Sequence, residues 1–92
     1  MIKGKKLNNL RNQVDKLDKE LTKLLKKRFQ IAIEIWKIKK PLGMKIKNPK
    51  REREIIDKVT KESGFSKKFV KKLYNTLFEE SRRIQNEWKI WP

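Results

Sequence analysis

Two apolar rows run through residues 7–38 with no glycine or proline between them. Leu7, Val14, Leu21, Arg28 and Ile35 form one row, and Leu10, Leu17, Leu24, Ile31 and Ile38 form the other. Paired rows with a seven-residue repeat are the pattern of a helix packed along a seam. The pattern predicts one helix over about 7–39, roughly 50 Å long at 1.5 Å per residue. A chain of 92 residues is too small to cover such a helix by itself, so the seam requires a partner chain. Arg28 is the only charge in either row. A guanidinium there must meet anions or lose a large desolvation energy. Two readings stand side by side: a charge that sets register or snorkels to the edge, and a grip on a buried anionic ligand.

The rest of the chain divides at clear signals. Residues 1–6 read as an N-terminal tail. Pro41 ends the first helix, and Leu42, Gly43 and Met44 read as a turn within a loop over 40–48. Asn48 as N-cap and Pro49 in the first helical position open a second helix over about 49–63. Ile55, Ile56 and Val59 supply its apolar residues, and Gly64 is a natural left-handed cap. Ser66 caps a third helix over about 67–88, with Phe65 stapling onto Val70. Its apolar face continues through Phe69, Leu73, Leu77, Ile84 and Trp88. No segment alternates with period two for long enough to make a strand. The expectation is an all-α single domain over 1–92 with long, short and medium helices.

Composition removes several chemistries. The chain has no cysteine and no histidine, which excludes disulfides, thiolate nucleophiles, zinc fingers and a histidine base. The formal net charge is +16, from 27 basic and 11 acidic residues. Such a balance suits nucleic acid, and equally a small polyanionic substrate steered by the same field. Pairs such as Lys26-Lys27 and Lys67-Lys68 fall on outward helical positions and read as solvated surface. The start of the chain lacks an apolar leader, and no stretch is apolar enough to span a membrane, so a soluble cytoplasmic protein is expected.

Polar residues on inward faces are the candidate site. Lys39 follows Arg28 by almost three helical turns, about 16 Å along the axis and on nearly the same face. Together the two long side chains can bracket a ligand, whereas Lys39 alone reads as a complement to the helix dipole. Arg11 precedes Arg28 by about 25 Å and is turned by roughly 100°, so one chain's two arginines cannot hold one small molecule. In an antiparallel pair, Arg11 of one chain approaches Arg28 of the other; alone, Arg11 is an exposed charge. Asn48, Arg51 and Glu52 crowd the start of the second helix, where a carboxylate is favoured by the dipole. The plain reading of residues 51–54 is a solvated, salt-bridged turn. Ser81 interrupts the apolar face of the third helix, and Gln85 lies one turn later on the same side. Such groups satisfy one another or a backbone carbonyl, and can also donate to a ligand oxygen.

The ordered pattern Leu10-Arg11-x-x-Val14-Asp15-x-Leu17-Asp18-x-x-Leu21, Leu24-Leu25-x-x-Arg28, then Lys39 resembles the all-helical chorismate mutases. Asn48-Pro49-x-Arg51-Glu52 and Glu79-Glu80-Ser81-Arg82-x-x-Gln85 extend the likeness over roughly residues 7–86. The resemblance implies an intertwined homodimer of three-helix chains with two shared active sites. It also implies the pericyclic conversion of chorismate to prephenate, which needs no metal, nucleophile or cofactor. By the same likeness, Arg28 and the other chain's Arg11 pair with substrate carboxylates. Lys39 and Gln85 donate to the ether oxygen, and Glu52 accepts from the ring hydroxyl. Arg51 and Ser81 complete the polar shell. Asn48 stands where an aspartate is common, and keeps a cap and a backbone N–H to offer. Gln85 is neutral where some relatives carry glutamate, so activity is not expected to demand acidic pH on that account.

The family pattern does not account for the high charge or for residues 88–92, which are expected to add apolar surface to the dimer. No appended dehydratase, dehydrogenase or regulatory segment is recognised, and a single-function enzyme is expected. An isochorismate–pyruvate lyase of the same fold is the alternative. A basic helical nucleic-acid binder is a third reading, disfavoured because the telling cations lie at or beside the seam rather than on an outer face.

Overall fold

The computed structural model describes residues 2–88, with nothing stated for the side chain of Ile2. Among these residues the order is helix α1 (Ile2–Lys39), a single 3-10 turn (Lys40–Leu42), helix α2 (Pro49–Ser63) and helix α3 (Lys67–Asn86). No helix among them is long and apolar enough to cross a membrane. The all-helical architecture expected from the sequence is present. Two compact units divide the chain, Met1–Ile31 and Ala32–Pro92.

The first unit is helical throughout its described length. Its helix begins at Ile2, so the expected tail over 1–6 is corrected for residues 2–6, which open α1; Met1 lies outside the described residues. Lysine is a good helix former, and the lone Gly4 costs only about 1 kcal/mol, too little to stop a helix that continues for many turns. The seam leucines are uncovered. Leu7, Leu10, Val14, Leu17, Leu21 and Leu24 all rank among the exposed large hydrophobics, with Leu17 at 63%.

The second unit holds the core. Asn48 caps α2 through its side chain, accepting from the Arg51 N–H at 3.1 Å. Gly64 ends the helix in the left-handed region at φ 73°, where its N–H reaches the Thr60 carbonyl. Ser66 opens α3 by accepting from the Phe69 N–H at 3.2 Å. Ile56, Val70 and Phe78 form the buried cluster between α2 and α3, with Ile55, Val59 and Tyr74 against it. Ala32 and Ile33 of α1 and Ile84 of α3 are also buried.

Three sequence expectations need correction here. The stripe of α3 that packs in the core is Val70 and Phe78, with half-buried Tyr74 between them, one position along from the expected Phe69, Leu73 and Leu77. Phe69 and Leu73 remain 49% and 42% exposed. The two rows differ by one residue, or about 100° around the helix, and α2 covers the second of them. Phe65 packs edge-on against Phe69, with centroids 5.4 Å apart, rather than stapling onto Val70. Val70 is committed to the core at 1% exposure. Helix α3 ends at Asn86, with the Glu87 N–H closing on the Arg83 carbonyl, rather than at residue 88. Of the expected apolar tail, Trp88 is half-buried with the Lys37 ammonium 5.5 Å from its ring centroid. Residues 89–92 lie outside the described residues.

Candidate active site

The polar pair on α3 is buried, and each side chain donates to a backbone carbonyl. Ser81 Oγ donates to the Leu77 carbonyl one turn back, at 2.8 Å. Gln85 Nε2 donates to the Ala32 carbonyl of α1 at 2.7 Å. A carbonyl oxygen only accepts, so the amide must turn its nitrogen toward Ala32. The nitrogen carries two hydrogens, and the one not engaged by Ala32 remains available to donate. Gln85 is therefore a donor of fixed orientation in a site from which water is largely excluded.

Lys39 closes α1 and is half-buried, with its ammonium 3.3 Å from the Ile46 carbonyl. That bond ties the loop after α1 to the helix end, together with Met44 N–H on the Lys39 carbonyl at 3.2 Å. Gly43, at φ 69°, makes the reversal possible. Lys39 and Ala32 are seven residues apart, so they share a face of α1 with about 10 Å between their levels. The ammonium and the Gln85 amide thus belong to one side of the same helix end.

Asn48, Arg51 and Glu52 do not act as one cluster. Asn48 is exposed and caps the helix. The Arg51 side chain points to Glu54 at 3.6 Å, with both side chains more than half exposed. This part of the turn is solvated and salt-bridged, the plain reading of the sequence. Glu52 departs from it. Its side chain is only 20% exposed, and its partner is the Arg82 guanidinium of α3. Arg82 belongs to the Ser81-Arg82-x-x-Gln85 motif, but sequence reasoning gave it no role. Its sequence signal is weak, because Arg83 lies between the same two inward polar residues.

In the first unit, Arg11 is exposed and Arg28 is half-buried. Among the described residues, no group of three or more His, Cys, Asp or Glu side chains could hold a metal ion. Within the second unit the donors are the Lys39 ammonium and the Gln85 amide, beside a Glu52 carboxylate paired with Arg82. Such a set can hold and polarise an anionic oxygen-rich ligand; it offers no strong nucleophile.

Comparison with known proteins agrees with that chemistry. The family model for type II chorismate mutase matches residues 10–86. A chorismate mutase of Methanocaldococcus jannaschii is 30% identical over 86 residues, covering 90% of this chain and 87% of that protein. A bifunctional chorismate mutase/prephenate dehydratase of Aquifex aeolicus is 40% identical over 53 residues, covering 58% of this chain and 15% of that protein. A T-protein of Enterobacter agglomerans is 30% identical over 84 residues, 88% of this chain and 22% of its own length. No solved structure gives a significant match.

Proposed function

The chain belongs to the type II chorismate mutase family, and from that premise we propose that it is a chorismate mutase acting as a cytoplasmic homodimer. The reaction breaks the ether C–O bond of chorismate and forms a C–C bond in the same step. No proton, electron or group leaves the molecule. The enzyme's task is to hold the compact conformer and to stabilise negative charge growing on the ether oxygen.

The roles follow from side-chain chemistry. Arg28, with Arg11 of the partner subunit, meets the two carboxylates through planar forks that suit them. Lys39 and Gln85 donate to the ether oxygen. Glu52 accepts from the ring hydroxyl, while Arg51, Ser81 and the Asn48 backbone N–H complete the polar surround. The observation that carries the reading is the Gln85 amide, 7% exposed and oriented by the Ala32 carbonyl, with a second hydrogen on the same nitrogen left to donate. A donor fixed before the reaction needs no reorganisation as charge develops.

The dimer is supported by the seam. Leu7, Leu10, Val14, Leu17, Leu21, Leu24, Ile31, Ile35 and Ile38 keep 48–67% of their surface exposed. Covering the remainder yields about 1 kcal/mol per residue. Over two chains that is on the order of 10–20 kcal/mol, enough to offset an association cost of about 4–15 kcal/mol.

The test is direct. Purified protein is mixed with chorismate, and loss of chorismate and appearance of prephenate are followed. Prephenate formation is expected. No turnover by a folded dimer would overturn the reading. Release of pyruvate from isochorismate, without prephenate from chorismate, would assign the lyase instead. Salt-sensitive duplex binding without either activity would assign the nucleic-acid binder.

A further inference from the structure

We propose that Arg82 is a positioning residue for Glu52, holding its carboxylate so that one oxygen faces the substrate hydroxyl. The inference rests on the proposed mutase reading. Arg82 itself touches no reacting atom.

Glu52 stands in the first turn of α2, with its N–H on the Asn48 carbonyl at 3.0 Å. A glutamate side chain there has several rotamers, and neighbouring Arg51 and Glu54 show the alternative of a solvated surface pair. Glu52 is instead drawn inward to Arg82, thirty residues along the chain, in a pair whose side chains are 20% and 21% exposed. The contact runs from Arg82 Nη1 to Glu52 Oε2. This single-point engagement leaves Oε1 to accept another hydrogen bond, whereas a two-pronged fork would occupy both oxygens.

Arg82 is also well placed on its own helix. Ser81 and Gln85 flank it and are buried at 8% and 7% exposure. The Arg82–Glu52 pair therefore ties the start of α2 to the stretch of α3 that carries the Gln85 amide. Arg83, the next residue, lies on the other side. It pairs with Glu80 and Glu87 within its own helix, and its side chain is 53% exposed. Two adjacent arginines thus differ in kind: Arg82 reaches across to another element, and Arg83 decorates a solvated face.

The test is a double-mutant cycle with a substrate-free readout. Glu52→Gln and Arg82→Met are each expected to lower kcat/KM by about 10–100-fold, the range of one charge-assisted hydrogen bond. In the Glu52→Gln background, Arg82→Met is expected to add less than about twofold. The loss should fall on kcat more than on KM, and Arg82→Lys should recover part of it. Arg83→Met is the control, expected within about twofold of wild type. Losses that multiply, or an equal loss for Arg83→Met, would overturn the positioning role.

If Arg82→Met alone does not fold, Arg82→Lys takes its place in the cycle, because it keeps a cation beside the Glu52 carboxylate. Independently of substrate, the Glu52 side-chain carboxyl carbon resonance, assigned by its loss in Glu52→Gln, should move in Arg82→Met or Arg82→Lys and stay put in Arg83→Met. An unmoved resonance would refute the contact. Failure of the wild type to convert chorismate would instead refute the mutase reading, and leaves the resonance arm to judge the pair.

Discussion

Replacing Gln85 with glutamate probes what the buried amide supplies. Gln85 is 7% exposed and donates to the Ala32 carbonyl at 2.7 Å. An ionised carboxyl in that place sets a lone pair against the carbonyl lone pair, whereas a protonated one donates an O–H. Burial disfavours the charge and the carbonyl favours the donor, so both raise the variant's carboxyl pKa. Losing the hydrogen bond to the buried Ala32 carbonyl while holding a charge there costs on the order of 2–3 kcal/mol. Below about pH 4.3 the carboxyl is protonated folded and unfolded, and the loss vanishes. The loss grows as pH rises from there toward the raised folded value, and is constant above it.

For a chain of this size the variant's Tm should lie about 10–20 °C below wild type at about pH 8, and close to wild type near pH 4.5. The rate follows the same ionisation: above the folded value the variant's activity relative to wild type should fall with pH, because the ionised carboxyl sets a negative charge beside the ether oxygen where charge grows. Thermal melts and chorismate consumption, run on both proteins from about pH 4.5 to 8, decide it. A variant with wild-type Tm and rate at about pH 8 would refute the reasoning, since the amide would then not be the donor that joins α3 to α1.

Three further outcomes follow from the same structure. Arg28→Lys should lower kcat/KM by about 10–150-fold, the worth of one charged hydrogen bond at ~1.5–3 kcal/mol, while a melt shows the fold intact. Asn48→Ala removes the acceptor for the Arg51 N–H and should cost ~1 kcal/mol, or about 4–8 °C in Tm; Asn48→Asp should not. Leu17→Asp falls on a side chain 63% exposed within one chain, so a monomer would barely notice it. In the seam of a dimer it buries a charge, and sedimentation should show dissociation or loss of fold.

The punctuation of the chain was legible because its causes are local. Asn48 followed by Pro49, Gly64 and Ser66 each act within one turn, and each stands where the sequence placed it. Helix α1 was legible because its apolar residues recur every seven positions with no glycine or proline between them. What escaped depends on contacts between elements. The choice between the Phe69 and Val70 rows of α3 turns on where α2 lies, and the two rows are almost equally apolar. Arg82 escaped for the same reason. Its role depends on Glu52 thirty residues away, and nothing nearby distinguishes it from Arg83. Ser81 and Gln85 were recognised as inward polar residues, but only the structure supplies the Ala32 carbonyl that orients the amide.

The central claim is a mutase site completed by two chains, and mixing two inactive variants tests it most directly. Arg11→Ala and Arg28→Ala are purified separately, each expected to be folded and to lose chorismate turnover. After joint unfolding and refolding at equal amounts, half the dimers are mixed, and each mixed dimer holds one intact site of two. About one quarter of wild-type activity should return. Refolded mixtures that contain mixed dimers yet remain as inactive as either parent would contradict a site shared between chains.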